Sequence, residues 1–217
     1  MDVILNLNEL QLDALREVGN IGAGHAATVL SQMLNQRVEM EVPRISIVPL
    51  GEICETIGGA ELPMVGVYMR VFGDVTCRML YLYPRNSALS IADFMIGRPK
   101  RESVVIGEIE GSALKELANI LTGAYVYAFS AFTKLNMLSS VPGLAFDMAG
   151  AILNSVLADI GEQTDYALVI ETKLSVADIN ATGHFFLVPD PDSLTLILDA
   201  LGVKGGCQQS SGSECQN

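Results

Sequence analysis

An acid followed three positions later by an amide occurs twice in this chain, as Glu17 with Asn20 and as Glu116 with Asn119. On a helix, residues three or four apart share a face. Asp13, Glu17, Asn20 and Gly24 therefore form a polar stripe, and Ser112, Glu116, Asn119 and Gly123 repeat it at the same spacings. A side-chain amide accepts a hydrogen bond through its carbonyl and donates through its NH2, so it can hold a water and set its direction. Orienting a water in line with a phosphoryl group is a known task of such an amide. The acid beside it can pair with a lysine on whatever carries the phosphate. A single polar stripe is ordinarily just a solvated helix face. A solvated face, however, tolerates any polar residue, whereas here Asn, a poor helix former, recurs beside an acid.

The elements that would carry the stripes follow from periodicity. Leu15, Val18, Ile21, Val29, Leu30, Met33 and Leu34 predict a long helix from about Asn8 to Asn35. A second long helix is predicted from about Gly107 to Lys134. Between them lie the extended run "RISIVPL", a hairpin "MVGVYMRVF"/"VTCRMLYLY" turning at Gly73-Asp74, and a helix "NSALSIADFMIG" capped by Asn86 or Ser87 and closed by Gly97. After the second long helix come a short extended piece ending at Pro142 and an apolar helix at Asp147–Asp159 with no evident counterpart in the first half. Two strands, "YALVIETKLSV" and "TGHFFLV", and a last helix, "PDSLTLILDALG", follow.

The layout is a duplication. Residues 13–43 align with 112–142 at a constant offset of 99, with nine of 31 positions identical, among them Glu17/Glu116, Asn20/Asn119, Gly24/Gly123 and Pro43/Pro142. The repeats run over about residues 8–97 and 107–203 of one domain, 1–204, and the Gly/Ser/Gln-rich tail 205–217 reads as disordered. A fused pair of this kind implies pseudo-twofold symmetry, with the two sheets either packed together or completing one sheet.

The glycines of "EVGNIGAGHAA" superficially suggest a phosphate-binding loop. Such a loop needs a strand before the glycines. What precedes them here is helical, the order G-x-x-G-x-G is reversed, and no Lys-Ser/Thr follows. These glycines read instead as clearance around Asn20. Nucleophile–His chemistry is not indicated, since His25 and His184 sit in unlike contexts and His184 reads as a strand or core residue. The four cysteines form no CxxC pair and there are only two histidines, so no zinc-type cluster is expected.

Bulk properties narrow the class. Half the residues are hydrophobic and 18% charged, enough for a sizeable core. A net charge of −12 disfavours nucleic acid and anionic lipid as partners. No apolar run is long enough to span a membrane, and the N-terminus lacks the pattern of a signal peptide, so a cytoplasmic location is expected.

The pattern [DS]-x3-E-x2-N-x22-P fits twice, through Asp13, Glu17, Asn20 and Pro43 and through Ser112, Glu116, Asn119 and Pro142. In this the chain resembles the CheC/CheX/FliY phosphatases of bacterial chemotaxis, and two copies match their two-motif members. The resemblance covers roughly residues 8–203. It implies an α/β fold of α+β type, with an antiparallel β-sheet packed against two long motif-bearing helices related by a pseudo-twofold axis. It implies hydrolysis of the aspartyl phosphate on the response regulator CheY. Asn20 and Asn119 would orient the attacking water, and Glu17 and Glu116 would pair with a regulator lysine. No cofactor of the chain's own is implied, Mg2+ being held in the regulator's acidic pocket. Pro43 and Pro142 would shape the strand after each helix. The resemblance further implies a partner, the receptor-modifying deamidase CheD, with Asp147 in "FDMAGAIL" as a contact. The alternative reading is a binding protein that sequesters CheD or the phosphorylated regulator and turns over slowly. A structural part in the flagellar switch is a third.

Overall fold

The computed structural model describes residues 7–98, 106–157, 165–176 and 179–203. The expected tail 205–217 lies outside them.

The two long helices begin and end as their sequences dictate. Helix α1 (Glu9–Leu34) starts with a capping box in which Asn8 and Gln11 satisfy each other's backbone N–H groups, and it stops at Asn35 in the left-handed conformation, φ 50°. Helix α4 (Glu108–Thr133) starts after Gly107, whose N–H donates to Glu110 Oε2 at 3.0 Å, and stops at Lys134, φ 61°. Asn35 and Lys134 are again 99 positions apart.

The strands are β1 (Val38–Pro49), β2 (Pro63–Gly73), β3 (Cys77–Pro84), β4 (Met137–Ser139), β5 (Gly143–Met148), β6 (Tyr166–Val176) and β7 (Ile179–Pro189). The shorter helices are α2 (Ile53–Thr56), α3 (Arg85–Met95), α5 (Ala149–Leu157) and α6 (Pro191–Ala200). All strand pairings are antiparallel, in the order β1-β6-β7-β3-β2-β4, with β5 also on β2. Read from either end, this order is the same set of equivalent strands. Strand β1 corresponds to β4 and β5, β6 to β2, and β7 to β3. The edge strand of each repeat therefore pairs with the other repeat, and the two halves complete a single sheet.

Strict alternation puts two cores on the two faces of that sheet. Val65, Val67, Met69 and Val71 of β2, with Met79, Tyr81 and Tyr83 of β3, face α1, α3, α4 and α6. Met64, Leu80, Leu82, Val169 and Phe186 face α2 and α5. The hairpin turns where expected, with Gly73 at φ 127°, and a Cβ there would collide with the carbonyl oxygen of Asn136.

A second symmetric device joins the halves. Gln11, 3% exposed, donates from Nε2 to the carbonyl of Val203 at 3.0 Å. Its equivalent Glu110, 7% exposed, takes Arg98 Nη1 at 3.0 Å. Each long helix thus grips, near its start, the residue just past the other repeat's closing helix.

The structure corrects three expectations. Helix α3 begins at Arg85 after Pro84, without a side-chain cap from Asn86 or Ser87. The apolar helix begins at Ala149, and Asp147 is on β5. That helix also has a counterpart, the short α2, which at the offset of 99 matches residues 152–155 within it, packs on the same face and is too brief to show periodicity.

Candidate functional site

Helices α1 and α4 lie against each other on one face of the sheet, and their buried sides fix their rotation. On α4, Leu114, Leu117, Ala118, Leu121 and Tyr125 turn inward. Thr122 is fully buried, taking a hydrogen bond from Tyr81 Oη at 2.9 Å and donating to Met69 Sδ at 3.1 Å. On α1, Leu15, Val18, Ala23, Ala26 and Leu30 do the same. This leaves Asp13, Glu17, Asn20 and Gly24 exposed on one helix, and Ser112, Glu116, Asn119 and Gly123 exposed on the other. Every stripe residue expected from the sequence is on the surface, in two equivalent copies.

The two copies differ in detail. Asn119 donates from Nδ2 to Glu116 Oε2 at 3.4 Å, which leaves its carbonyl to accept from solvent. No such bond joins Glu17 to Asn20. In the first copy Asp13 is paired with Arg16 at 2.6 Å, an exposed contact of small energetic weight. In the second copy Ser112 bonds back to the carbonyl of Glu108 at 2.8 Å.

The glycines divide into two kinds. A Cβ on Gly24 or Gly123 would meet nothing within 4 Å, so the surface beside each amide is open. Gly22 is different, because a Cβ there would stand 2.6 Å from Tyr125 Cδ1. Clearance around Asn20 therefore describes Gly24 but not Gly22, which lets α1 and α4 approach.

The motif prolines occupy equivalent breaks in the two edge strands. Pro43 lies in the register shift of β1 between Glu41 and Arg44, and Pro142 lies in the gap between β4 and β5. Proline donates no ladder hydrogen bond and is accommodated at edges and bulges. The 22-residue spacing also acquires a reason. The chain climbs α1 from Asn20, turns after Asn35, and returns along β1 until Val42 and Ile45 stand beside Gly19, their side chains 3.9 and 4.0 Å from its Cβ position.

The remaining candidates fall elsewhere. Asp147 is exposed on the edge strand β5, opposite Met64, and helps to line a groove with Pro63, Arg85, Ile106 and Phe146. His184 is half-buried on β7 across from Glu171, and burial lowers its pKa while Glu171 opposes the shift. Cys77 is a core residue whose thiol is pushed up to about 12, by burial first and then by Asp190, with Arg78 opposing. It is no nucleophile. Among the described residues no group of His, Cys, Asp and Glu could hold a metal ion, and no helix is long and apolar enough to cross a membrane. Reading the sequence missed Gln11 and Glu110 as inter-repeat latches. It also missed the ring contact between His25 and Tyr127, whose signal was the position of Tyr127 one turn past Gly123.

This is an interlocked, duplicated α/β domain presenting two exposed acid–amide stripes from paired helices. A model of the CheC-like family matches residues 10–47 and 109–145, the two segments that hold the stripes and their prolines. CheY-P phosphatase CheC of Bacillus subtilis (strain 168) is 36% identical over 207 residues, covering 94% of this chain and 99% of that protein. Flagellar motor switch phosphatase FliY of the same organism is 32% identical over 126 residues, 58% of this chain and 32% of that one. The crystal structure of Thermotoga maritima FliY shares the fold with a TM-score of 0.73 at 20% identity, over 91% of this chain and 98% of that chain. The chain belongs to the CheC-like family.

Proposed function

We propose that this protein is a phosphatase that hydrolyses the aspartyl phosphate of a CheY-type response regulator. The carrying observation is the pair of exposed stripes, each with its amide beside an acid and next to open surface. The name and full-length similarity of the Bacillus subtilis relative support the substrate.

The aspartyl phosphate is a mixed anhydride. Water attacks phosphorus in line, the bond from phosphorus to the aspartate oxygen breaks, and the carboxylate leaves. Asn20 or Asn119 accepts a hydrogen bond from that water through its carbonyl and fixes the approach. Glu17 or Glu116 pairs with a lysine of the regulator and sets its orientation. Mg2+, held in the regulator's own acidic pocket, would supply the neutralisation of the developing charge. The open surface suits a substrate that arrives embedded in another protein. Gly24 and Gly123 leave room beside each amide, and Asp13, Ser112, Pro43 and Pro142 hold the motif's frame.

The test is loss of regulator phosphate over time with Mg2+ present. The Asn20→Ala/Asn119→Ala double variant is expected to lose roughly a hundredfold or more in rate, as misplaced reactants do. A double variant as fast as the wild type overturns the assignment.

The protein acts in the cytoplasm, where its substrate is, and CheD docks at the groove beside Asp147. That exposed groove also supports a second reading, in which the protein mainly sequesters a partner. Counting turnovers separates the two, since less than one phosphate released per protein favours sequestration.

A further inference from the structure

The α4 stripe does not stop at Gly123. Four residues on stands Tyr127, 60% exposed, so the row reads Ser112, Glu116, Asn119, Gly123, Tyr127. The equivalent position on α1 is Thr28, whose hydroxyl is spent on the carbonyl of Gly24 at 2.9 Å. The repeats keep the acid, the amide and the glycine, and differ at the next turn.

The Tyr127 ring is braced from the other repeat. His25 of α1 meets it edge-on, with centroids 5.1 Å apart and an interplanar angle of 62°. A Cβ at Gly123 would meet nothing within 4 Å, so the ring leaves that surface open, and Tyr127 follows Gly123 one turn further along α4 from Asn119. The two side chains stand eight residues, or about 12 Å, apart along the axis. A large aromatic ring that is exposed yet already held makes a strong protein contact, because little freedom is lost on binding.

We propose that Tyr127 is a docking residue of the second site. It gives that site a third contact with the phosphorylated regulator, beside the Glu116 ion pair and the Asn119 water. The first site, with Thr28 there, has only two. This rests on the functional reading above. It assigns the two sites unequal affinity for one substrate while their chemistry is alike, and makes His25 a positioning residue for the ring.

One-site proteins test it. Asn20→Ala leaves the second site and Asn119→Ala leaves the first. In the Asn20→Ala protein, Tyr127→Thr is expected to raise KM for the phosphorylated regulator roughly tenfold, the scale of an interface anchor, with kcat within twofold. Tyr127→Phe keeps KM low, since the ring makes the contact. His25→Ala raises KM less than Tyr127→Thr does. In the Asn119→Ala protein, Thr28→Tyr lowers KM. Binding of a regulator loaded with beryllofluoride, a phosphoryl mimic, gives the same comparison without turnover. A weaker Kd for Tyr127→Thr supports the docking role even where the hydrolysis assay fails the proposed mechanism. An unchanged KM and Kd for Tyr127→Thr overturns it, as does a change in the protein's own oligomeric state with KM unmoved, which would make Tyr127 a self-association contact.

Discussion

Asn20 and Asn119 are poor choices for helix stability and good ones for holding a water, and the glycines beside them make the same trade. Gly24 is exposed with nothing within 4 Å of its Cβ position. Gly24→Ala is expected to stabilise the fold by up to about 1 kcal/mol, read as a higher urea midpoint. It is also expected to slow the first site, measured in the Asn119→Ala protein, by filling the surface beside Asn20. Gly22→Val goes the other way. Its side chain would run into the Tyr125 ring, and overpacking of this kind costs about 1–3 kcal/mol. From the sequence these glycines look alike, because spacing shows which residues share a face but not which face meets a second helix 99 residues away. His184 supplies a pH dependence. Burial holds its folded-state pKa below the unfolded value of about 6.5, so the unfolded chain binds the proton first. Stability should be full above that value and fall as pH drops through the lowered folded pKa. His184→Gln should flatten this slope in urea melts taken across the same range.

Among elements, those with strong local signals were legible and those defined by distant contacts were not. Apolar residues at helical spacing run from Leu15 to Leu34, so α1 reads correctly to within a residue at each end. The hairpin and the strands "YALVIETKLSV" and "TGHFFLV" were legible as short apolar runs, their ends placed within three residues. Helix α2 has four residues, less than any periodicity can register, so its kinship with α5 was hidden. The expected cap at Asn86 or Ser87 failed because Pro84 already ends β3 and aims the chain into α3. The exposed face of each stripe was legible. The buried ends of the long helices were not, since Gln11 and Glu110 look like ordinary surface residues. Their burial makes a clear prediction. Glu110→Ala removes the acceptor of both Gly107 N–H and Arg98, and should cost about 2 kcal/mol in urea unfolding. Gln11→Ala loses neutral bonds to Asn8 and Val203 and should cost roughly 1 kcal/mol.

At the scale of the molecule, a period of two says which face a strand residue takes but not which strand lies beside it. The duplication was therefore plain in the sequence, while the exchange of edge strands between repeats was not. Residues 1–98 contain a complete repeat by sequence, yet in the whole protein β1 pairs with β6 and β2 with β4 and β5, all from the other half. Expressed alone, that segment is expected to be insoluble or to pair with a second copy of itself. Light scattering and amide chemical-shift dispersion would reveal a well-folded monomer if this is wrong. The exchanged strands also carry a historical implication. A lone ancestral repeat could have completed such a sheet only by meeting another molecule, and dilution would have undone it. Joining two copies in one chain makes that encounter intramolecular, at an effective concentration on the order of millimolar. Once assembly no longer depends on identical partners, each copy can drift. One helix can gain a tyrosine where its twin keeps a threonine, and a single scaffold can come to treat the same substrate in two ways.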